Sequence, residues 1–197
     1  MSAPRQGFTA PTTKDNLYES ALASSRSEIR DRIESWLHTP AVLVDRHLDV
    51  IAANRLAATL SESFRHGVNL ARFAFLDPNV TRSEACWDDT AQQLAAMLRD
   101  SLDQHKPDIA FLSIVGELAA TSWDFSDAWA ETQQANESGS ATFLDTPVGD
   151  VSLEYRLTRV PQNLDDTLIL FRTVDDRSRE LLDQLVSIRQ AARPSGL

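Results

Sequence analysis

The side chains most able to do chemistry in this 197-residue chain lack the spacing that catalytic or metal sites need. The four histidines, His38, His47, His66 and His105, form neither an H-x-x-x-H nor an H-E-x-x-H pattern, so they predict no metal site. A single cysteine, Cys86, can form neither an intramolecular disulfide nor a thiolate cluster. We therefore expect no metal centre and no disulfide framework.

Motifs for phosphate binding and nucleophilic catalysis are also missing from the sequence. The six dispersed glycines form no G-x-x-x-x-G-K-[ST], G-x-G-x-x-G or G-x-S-x-G pattern. Paired carboxylates at residues 88–89, 165–166 and 175–176 fall in polar turns or helix starts, where capping and solvation explain them. The sequence thus predicts no catalytic residue, no bound cofactor and no enzyme.

The charge distribution excludes further classes of partner. Residues 1–40 carry five basic and five acidic side chains, so the net charge of −10 lies entirely in residues 41–197. Such acidity repels the nucleic-acid backbone, and the two lysines, Lys14 and Lys106, form no basic patch for a membrane surface. Without a signal peptide or an apolar run of about 18 residues, we expect a cytoplasmic chain that binds neither nucleic acid nor membrane directly.

Four regions follow from the composition and the hydrophobic pattern. Residues 1–13 lack periodicity and predict a disordered leader. Residues 14–38 predict an N-terminal helical segment, which Pro40 follows closely. Residues 39–174 contain the main domain, and residues 175–197 predict a C-terminal helix with stripe Leu181, Leu182, Leu185 and Ile188, followed by a tail.

The order of elements inside residues 39–174 indicates the fold class. Residues 41–45 and 48–53 predict a hairpin, and helical patterns follow over 54–61, 82–104 and 109–120. Asn54 and Ser122 are candidate helix caps, and the 109–120 helix is apolar almost all round, which predicts deep burial. Residues 139–146, 148–158 and 167–174 predict three antiparallel strands, with a loop over 161–166. The result is a PAS-like α+β fold, a five-stranded antiparallel sheet with helices on one face plus terminal helices.

Four segments, taken in chain order, carry a resemblance to a known family. They are TPAVLVDRHLDVIAANRLAATL at residues 39–60, NLARFAFLDP at 69–78, LSIVGELAATSWDFSDAW at 112–129 and TPVGDVSLEY at 146–155. Together they resemble the ligand-binding domain of the MmyB-like transcription regulators, over about residues 27–174. That resemblance implies a PAS-like domain that usually follows a helix-turn-helix domain, occurs mainly in actinobacteria and holds a fatty-acid-like ligand.

The resemblance also implies a set of ligand-binding residues. Arg72 becomes the candidate polar anchor, since a guanidinium pairs bidentately with a carboxylate, and Arg46 is a second candidate for that role. The apolar pocket candidates are Val42, Val44, Ile51, Phe73, Phe75, Trp129 and Tyr155. The sequence departs from the family pattern at Ala53, where relatives commonly carry an aromatic residue, and at Thr146, where they commonly carry histidine. Fewer than 40 residues precede the domain in this sequence, so we expect no helix-turn-helix within it.

These observations favour a ligand-sensing regulatory domain that signals to a protein partner or within a homodimer. The candidate contact surfaces are the helix at residues 27–38 and the terminal helix. One alternative is a small isomerase-like or cyclase-like enzyme, which would need a buried Asp or His with a shifted pKa in its cavity. The other is a ligand-free interaction module, which a core filled by Phe73, Trp123 and Trp129 would indicate.

Overall fold

The computed structural model describes residues 26–80, 87–160 and 163–191 of the chain. The predicted leader at residues 1–13, and residues 14–25 of the predicted N-terminal segment, lie outside the described part. Residues 26–34 form a helix, α1.

A five-stranded antiparallel sheet organises the domain, as the sequence predicts. Its strands are β1 (Ala41–Val44), β2 (Val50–Ala53), β3 (Ser138–Thr146), β4 (Gly149–Val160) and β5 (Asn163–Thr173). Their order across the sheet is β2-β1-β5-β4-β3, and each neighbouring pair is antiparallel. β5 begins at Asn163, so the connection from β4 is shorter than the predicted loop over 161–166. The α+β, PAS-like prediction is confirmed.

Both faces of β1 are buried, because helices cover the sheet on both sides there. Val42 and Val44 belong to the main core, whereas Ala41 and Leu43 belong to a smaller cluster on the outer face. Ile33 of α1, which is 1% exposed, packs into that outer cluster. Side chains alternate between the two faces along a strand. Ala41 and Leu43 therefore pack on the side of α1, whereas Val42 and Val44 pack on the side of the inner helices.

The layer on the inner face of the sheet consists of helices, and short polar side chains cap the first turns of several of them. They are α2 (Arg55–Leu60), a 3₁₀ turn (Glu62–Phe64), α3 (Leu70–Leu76), α4 (Trp87–Gln104), α5 (Ile109–Thr121), α6 (Trp123–Ala130) and α7 (Asp176–Ala191). Asn54, Asn69, Asp108 and Ser122 cap α2, α3, α5 and α6, each accepting a hydrogen bond from an amide three residues later. The caps predicted at Asn54 and Ser122 are confirmed.

Asn54 also fixes the N-terminal helix to the sheet. Its side chain is buried, and its Oδ1 accepts from the amides of Ala57 at 3.0 Å and Ala41 at 3.3 Å. Its Nδ2 donates to the carbonyls of Ile33, Trp36 and Thr39 at 3.2, 3.1 and 2.7 Å. One amide therefore joins the end of α1, the start of β1 and the start of α2.

The predicted deep burial of the 109–120 helix is wrong. Only Phe111, Ile114 and Leu118 of α5 are buried, whereas Ile109 is 89% exposed and Leu112 is 60% exposed. α5 packs against α3 and α6 at the border of the inner layer, so one face has no neighbour among the described residues. Within the described part of the chain, none of the helices is both long and apolar enough to cross a membrane.

Candidate functional site

A cavity of about 860 Å³ lies between the sheet and the inner helices. Its sheet wall is the inner face of β3, β4 and β5, and its helix wall comes from α2, the 3₁₀ turn, α3 and α4. Ligand pockets for small molecules typically measure about 300–1,000 Å³ and are mostly apolar. The volume of this cavity lies within that range, so the cavity is the candidate ligand site.

Three phenylalanines form an aromatic floor to the cavity. Phe64 of the 3₁₀ turn, Phe143 of β3 and Phe171 of β5 all line it, and their ring centroids lie 5.3–5.6 Å apart. Their tilted and edge-to-face arrangement is the one that aromatic quadrupoles favour. Aliphatic side chains complete the apolar wall: Leu60, Leu70, Leu94, Met97, Leu157 and Ile169.

Tyr155 lies on the inner face of β4, directly opposite Gly139 of β3. A Cβ atom on Gly139 would lie 2.6 Å from the Tyr155 hydroxyl and 2.8 Å from its Cζ, which no side chain tolerates unless the ring moves. The absent side chain at Gly139 therefore lets the tyrosine ring lie close against β3. Both residues line the cavity.

Hydrogen bonds hold the segment between α6 and β3 beside the cavity. Gln93 of α4 donates to the carbonyl of Asn136 and accepts from its amide, both at 2.9 Å. Arg99 of α4 donates to the carbonyls of Ala128, Trp129 and Gln133. These bonds hold residues 131–136, which have no regular secondary structure, against α4.

The structure brings two of the eight predicted ligand-binding residues to the cavity, Phe73 and Tyr155. Val42 and Val44 are fully buried in the main core and do not line it. Ile51 packs with the cluster on the outer face of the sheet. Contact of these residues with a ligand stays a prediction.

Phe75 and Trp129 belong to an aromatic group beside the cavity. Phe75 contacts Trp87 and Phe125 with ring centroids 5.5 and 5.2 Å apart. Trp129 stacks on Phe125 at 5.4 Å, with the Arg99 guanidinium 5.4 Å from its ring centroid. Only Trp87 of this group lines the cavity.

Both predicted arginine anchors are paired with acids elsewhere. Arg72 Nε donates to Glu117 Oε2 at 2.7 Å, which joins α3 to α5, and Arg72 does not line the cavity. The Arg46 guanidinium donates to Asp108 Oδ2, and His47 Nε2 lies 3.1 Å from both oxygens of the same carboxylate. A role for either arginine as the polar anchor of a ligand stays a prediction.

Asp45, His47 and Asp49 are the described residues whose grouping could hold a metal ion, with ligand atoms within 4.8 Å of one another. Asp45 Oδ1 accepts from the backbone amides of His47 and Asp49, so the carboxylate closes the turn between β1 and β2. Burial raises the pKa of Asp45, although the two amides oppose that shift. The turn itself thus explains the cluster.

Several cavity residues were missed by the sequence interpretation. Phe143, Leu157, Ile169 and Phe171 lie on the same sheet face as Tyr155, so the period-two pattern of the strands was a usable signal for them. No comparable signal marks Phe64, since it depends on a single 3₁₀ turn. Other lining residues come from irregular backbone, at 133, 134 and 136.

The two departures from the family pattern lie in different places. Thr146 is buried, lines the cavity together with Pro147, and donates its hydroxyl to the Gly149 carbonyl. Ala53 packs against the main core without lining the cavity.

Comparison with protein families finds one match that spans most of the chain. Residues 25–185 match the family model described as the MmyB-like transcription regulator ligand binding domain. Comparison with curated proteins finds no match.

Proposed function

The chain belongs to the family of MmyB-like transcription regulator ligand binding domains, and we propose that it binds an apolar, fatty-acid-like small molecule in the cavity between sheet and helices. Ligand binding in turn controls a protein partner or a second copy of the chain. The observation that carries the proposal is the cavity of about 860 Å³ with its floor of three phenylalanines. Such a wall binds alkyl or ring systems by removing their surface from water.

Signalling would follow from the position of the cavity between two layers. A ligand there touches β3–β5 on one side and α3 and α4 on the other, so it stabilises one packing of the helices on the sheet. A partner that prefers that packing binds more tightly when ligand is present, since the coupling between two sites is a difference in free energy. The candidate contact surfaces are α1 and α7.

Two observations bear on the alternatives. The acids that line the described cavity are exposed: Glu62, Asp89 and Asp145. An isomerase-like or cyclase-like enzyme would need a buried acid or base. A ligand-free module would fill its core with Phe73, Trp123 and Trp129, but Trp123 is 83% exposed and Phe73 faces the cavity. Neither alternative gains support.

The first test is to identify what the purified protein carries. Native mass spectrometry followed by denaturing extraction should release an apolar small molecule. A series of n-alkyl ligands should then bind about fourfold more tightly per added methylene until the cavity is full, since each buried methylene contributes about 0.8 kcal/mol. An empty protein with no affinity for any member of the series would refute the proposal.

A matched pair of variants locates the binding. Ala141→Phe places a ring on the inner face of β3, where the residue lines the cavity, and should abolish alkyl binding. Ala110→Phe makes the same change on the exposed side of α5 and should leave binding unchanged. Equal binding by both variants would place the ligand outside this cavity.

A further inference from the structure

The charges that line the cavity are mostly negative. Among the described residues the lining holds one cation, Arg65, and three acids, Glu62, Asp89 and Asp145. The Arg65 guanidinium donates to Glu62 Oε1 at 2.6 Å, so it is already paired. Asp89 and Asp145 remain without a cation in the described lining. Among the described lining residues, a carboxylate that entered the cavity would therefore meet like charges and no unpaired guanidinium.

The arginines nearest to such a role lie outside the lining and have partners. Arg72 pairs with Glu117 at 2.7 Å, and Arg46 pairs with Asp108. Recruiting either one would leave its acid without a partner. The described part of the structure thus offers no arginine that is ready to bind a fatty-acid carboxylate in the cavity.

Tyr155 is a polar side chain on the sheet wall of the cavity. Its hydroxyl lies over Gly139, the residue is half-buried, and it makes no hydrogen bond to any other described residue. Burial and the negative charge of Asp89 both raise the pKa of Tyr155, so the hydroxyl keeps its proton at neutral pH. It can therefore donate one hydrogen bond and accept another.

Several other polar side chains of the lining already have hydrogen-bond partners. Gln93 is bound at both ends to Asn136, and the hydroxyls of Ser61 and Ser63 bind each other at 2.8 Å. The Asp89 carboxylate makes no hydrogen bond or ion pair with another described residue. Asp89 and Tyr155 both line the cavity, and they lie close enough for the Asp89 charge to act on the Tyr155 hydroxyl, so the two groups can together bind the polar end of a ligand.

We propose that the cavity selects a ligand whose polar end donates hydrogen bonds, an alcohol or an amine, through the Tyr155 hydroxyl and the Asp89 carboxylate, and discriminates against a carboxylate. The inference rests on the proposed function: it keeps the apolar chain of the ligand and replaces the carboxylate of a fatty acid by an alcohol or an amine. An ammonium group gains from the acidic lining, an alcohol hydrogen-bonds to Tyr155 without a charge penalty, and a carboxylate is repelled.

Three ligands that share one alkyl chain test this order: decan-1-amine, decan-1-ol and decanoic acid. Their affinities for the full chain are measured at pH 7 by isothermal titration calorimetry. We expect the amine to bind tightest and the acid weakest, with about tenfold between them at low salt, since exposed charge pairs are modest in strength. That ratio should shrink as salt screens the charges, while the affinity of the alcohol stays constant.

Variants assign the two contacts. Asp89→Asn should reduce the amine's affinity to that of the alcohol, whereas Asp88→Asn, an exposed acid on the same helix turn outside the lining, should change it much less. Tyr155→Phe should weaken the alcohol about fivefold. Arg72→Ala should leave all three ligands unchanged.

The outcomes separate the two proposals. The inference about the polar end would be overturned if decanoic acid bound tightest, or if Arg72→Ala were the one variant that lost decanoic-acid binding. Either result would leave the proposed function standing. Failure of all three ligands to bind would overturn the proposed function and this inference with it.

Discussion

Replacing Gly139 by alanine should damage both stability and ligand binding, although the change adds a single methyl group. The new Cβ would lie 2.6, 2.8 and 2.9 Å from the hydroxyl, Cζ and Cε1 atoms of Tyr155. The ring must therefore swing away from β3 and into the cavity. Forced repacking of this kind costs about 1–3 kcal/mol.

Gly116→Ala is the matched control, because nothing lies within 4 Å of the Cβ that it would add. Gly116 lies in α5, where alanine should stabilise the helix by about 1 kcal/mol. The two glycine-to-alanine variants should thus differ in unfolding free energy by about 2–4 kcal/mol. For a chain of this size the melting temperatures should differ by roughly 4–16 °C.

Urea unfolding and differential scanning calorimetry measure the stability difference, and titration with an alkyl ligand measures binding. In a Tyr155→Ala background the sign should reverse, since Gly139→Ala would then only remove the flexibility of a strand glycine, worth about 0.5–1 kcal/mol. The close approach of Gly139 and Tyr155 would be refuted if Gly139→Ala stabilised the wild-type background, or if its effect were the same in both backgrounds.

Three further predictions concern the framework. Asn54→Ala should lower the urea-unfolding free energy by about 3 kcal/mol, because buried amides and carbonyls lose their partner; a loss under about 1 kcal/mol would contradict this. Arg26→Ala leaves Asp166, which is 0% exposed, without the guanidinium that bonds both its oxygens. This change should lower the unfolding free energy by about 2 kcal/mol, whereas Arg30→Ala, at an exposed position, should change it by less than about 0.5 kcal/mol. Equal losses in the two variants would contradict the pairing. The hydrogen bond from the Phe111 amide lowers the pKa of Asp108 in the folded protein. The ionised carboxylate therefore stabilises the fold above the unfolded pKa of about 3.9, and this stabilisation is lost as the pH falls through the lower folded pKa. Asp108→Asn should make the unfolding free energy fall less steeply below about pH 4, and an unchanged dependence on pH there would refute this.

Sequence patterns that depend only on neighbouring residues predicted much of the secondary structure. Period-two alternation identified β3–β5, and short polar residues before helical patterns identified the caps at Asn54 and Ser122. These signals depend on neighbours in the chain, so they survive without tertiary information. The element order of the PAS-like fold predicted one five-stranded antiparallel sheet, which the structure confirms, whereas the strand order β2-β1-β5-β4-β3 was not predicted.

Tertiary placement decided what the sequence could not show. An all-round apolar helix predicts burial, yet α5 lies at the border of the inner layer and exposes Ile109 and Leu112. Apolar composition indicates which residues can be buried and not which are. Similarly, Val42 shares a sheet face with Tyr155, but only the packing of helices over that face determines which of the two meets the cavity.

The same limit applies to the polar contacts of the site. Nothing near Arg72 in the chain marks Glu117 as its partner, since the two lie on different helices. The value of an arginine as an anchor depends on whether an acid already holds it. That information exists only in three dimensions.

The central position of β5 has a consequence for the kinetics of folding. β5 is the last strand in the chain and joins the β1–β2 hairpin to the β3–β4 hairpin, so Ala41 must find Leu170 across nearly the whole domain. The chain loses conformational entropy when so long a loop closes, and it does so before stabilising contacts form. Folding is therefore slow. Because Ile169 and Phe171 of β5 also form part of the cavity wall, a ligand finds its site complete only after this late step. We therefore expect a bound ligand to slow unfolding while leaving the rate of folding nearly unchanged.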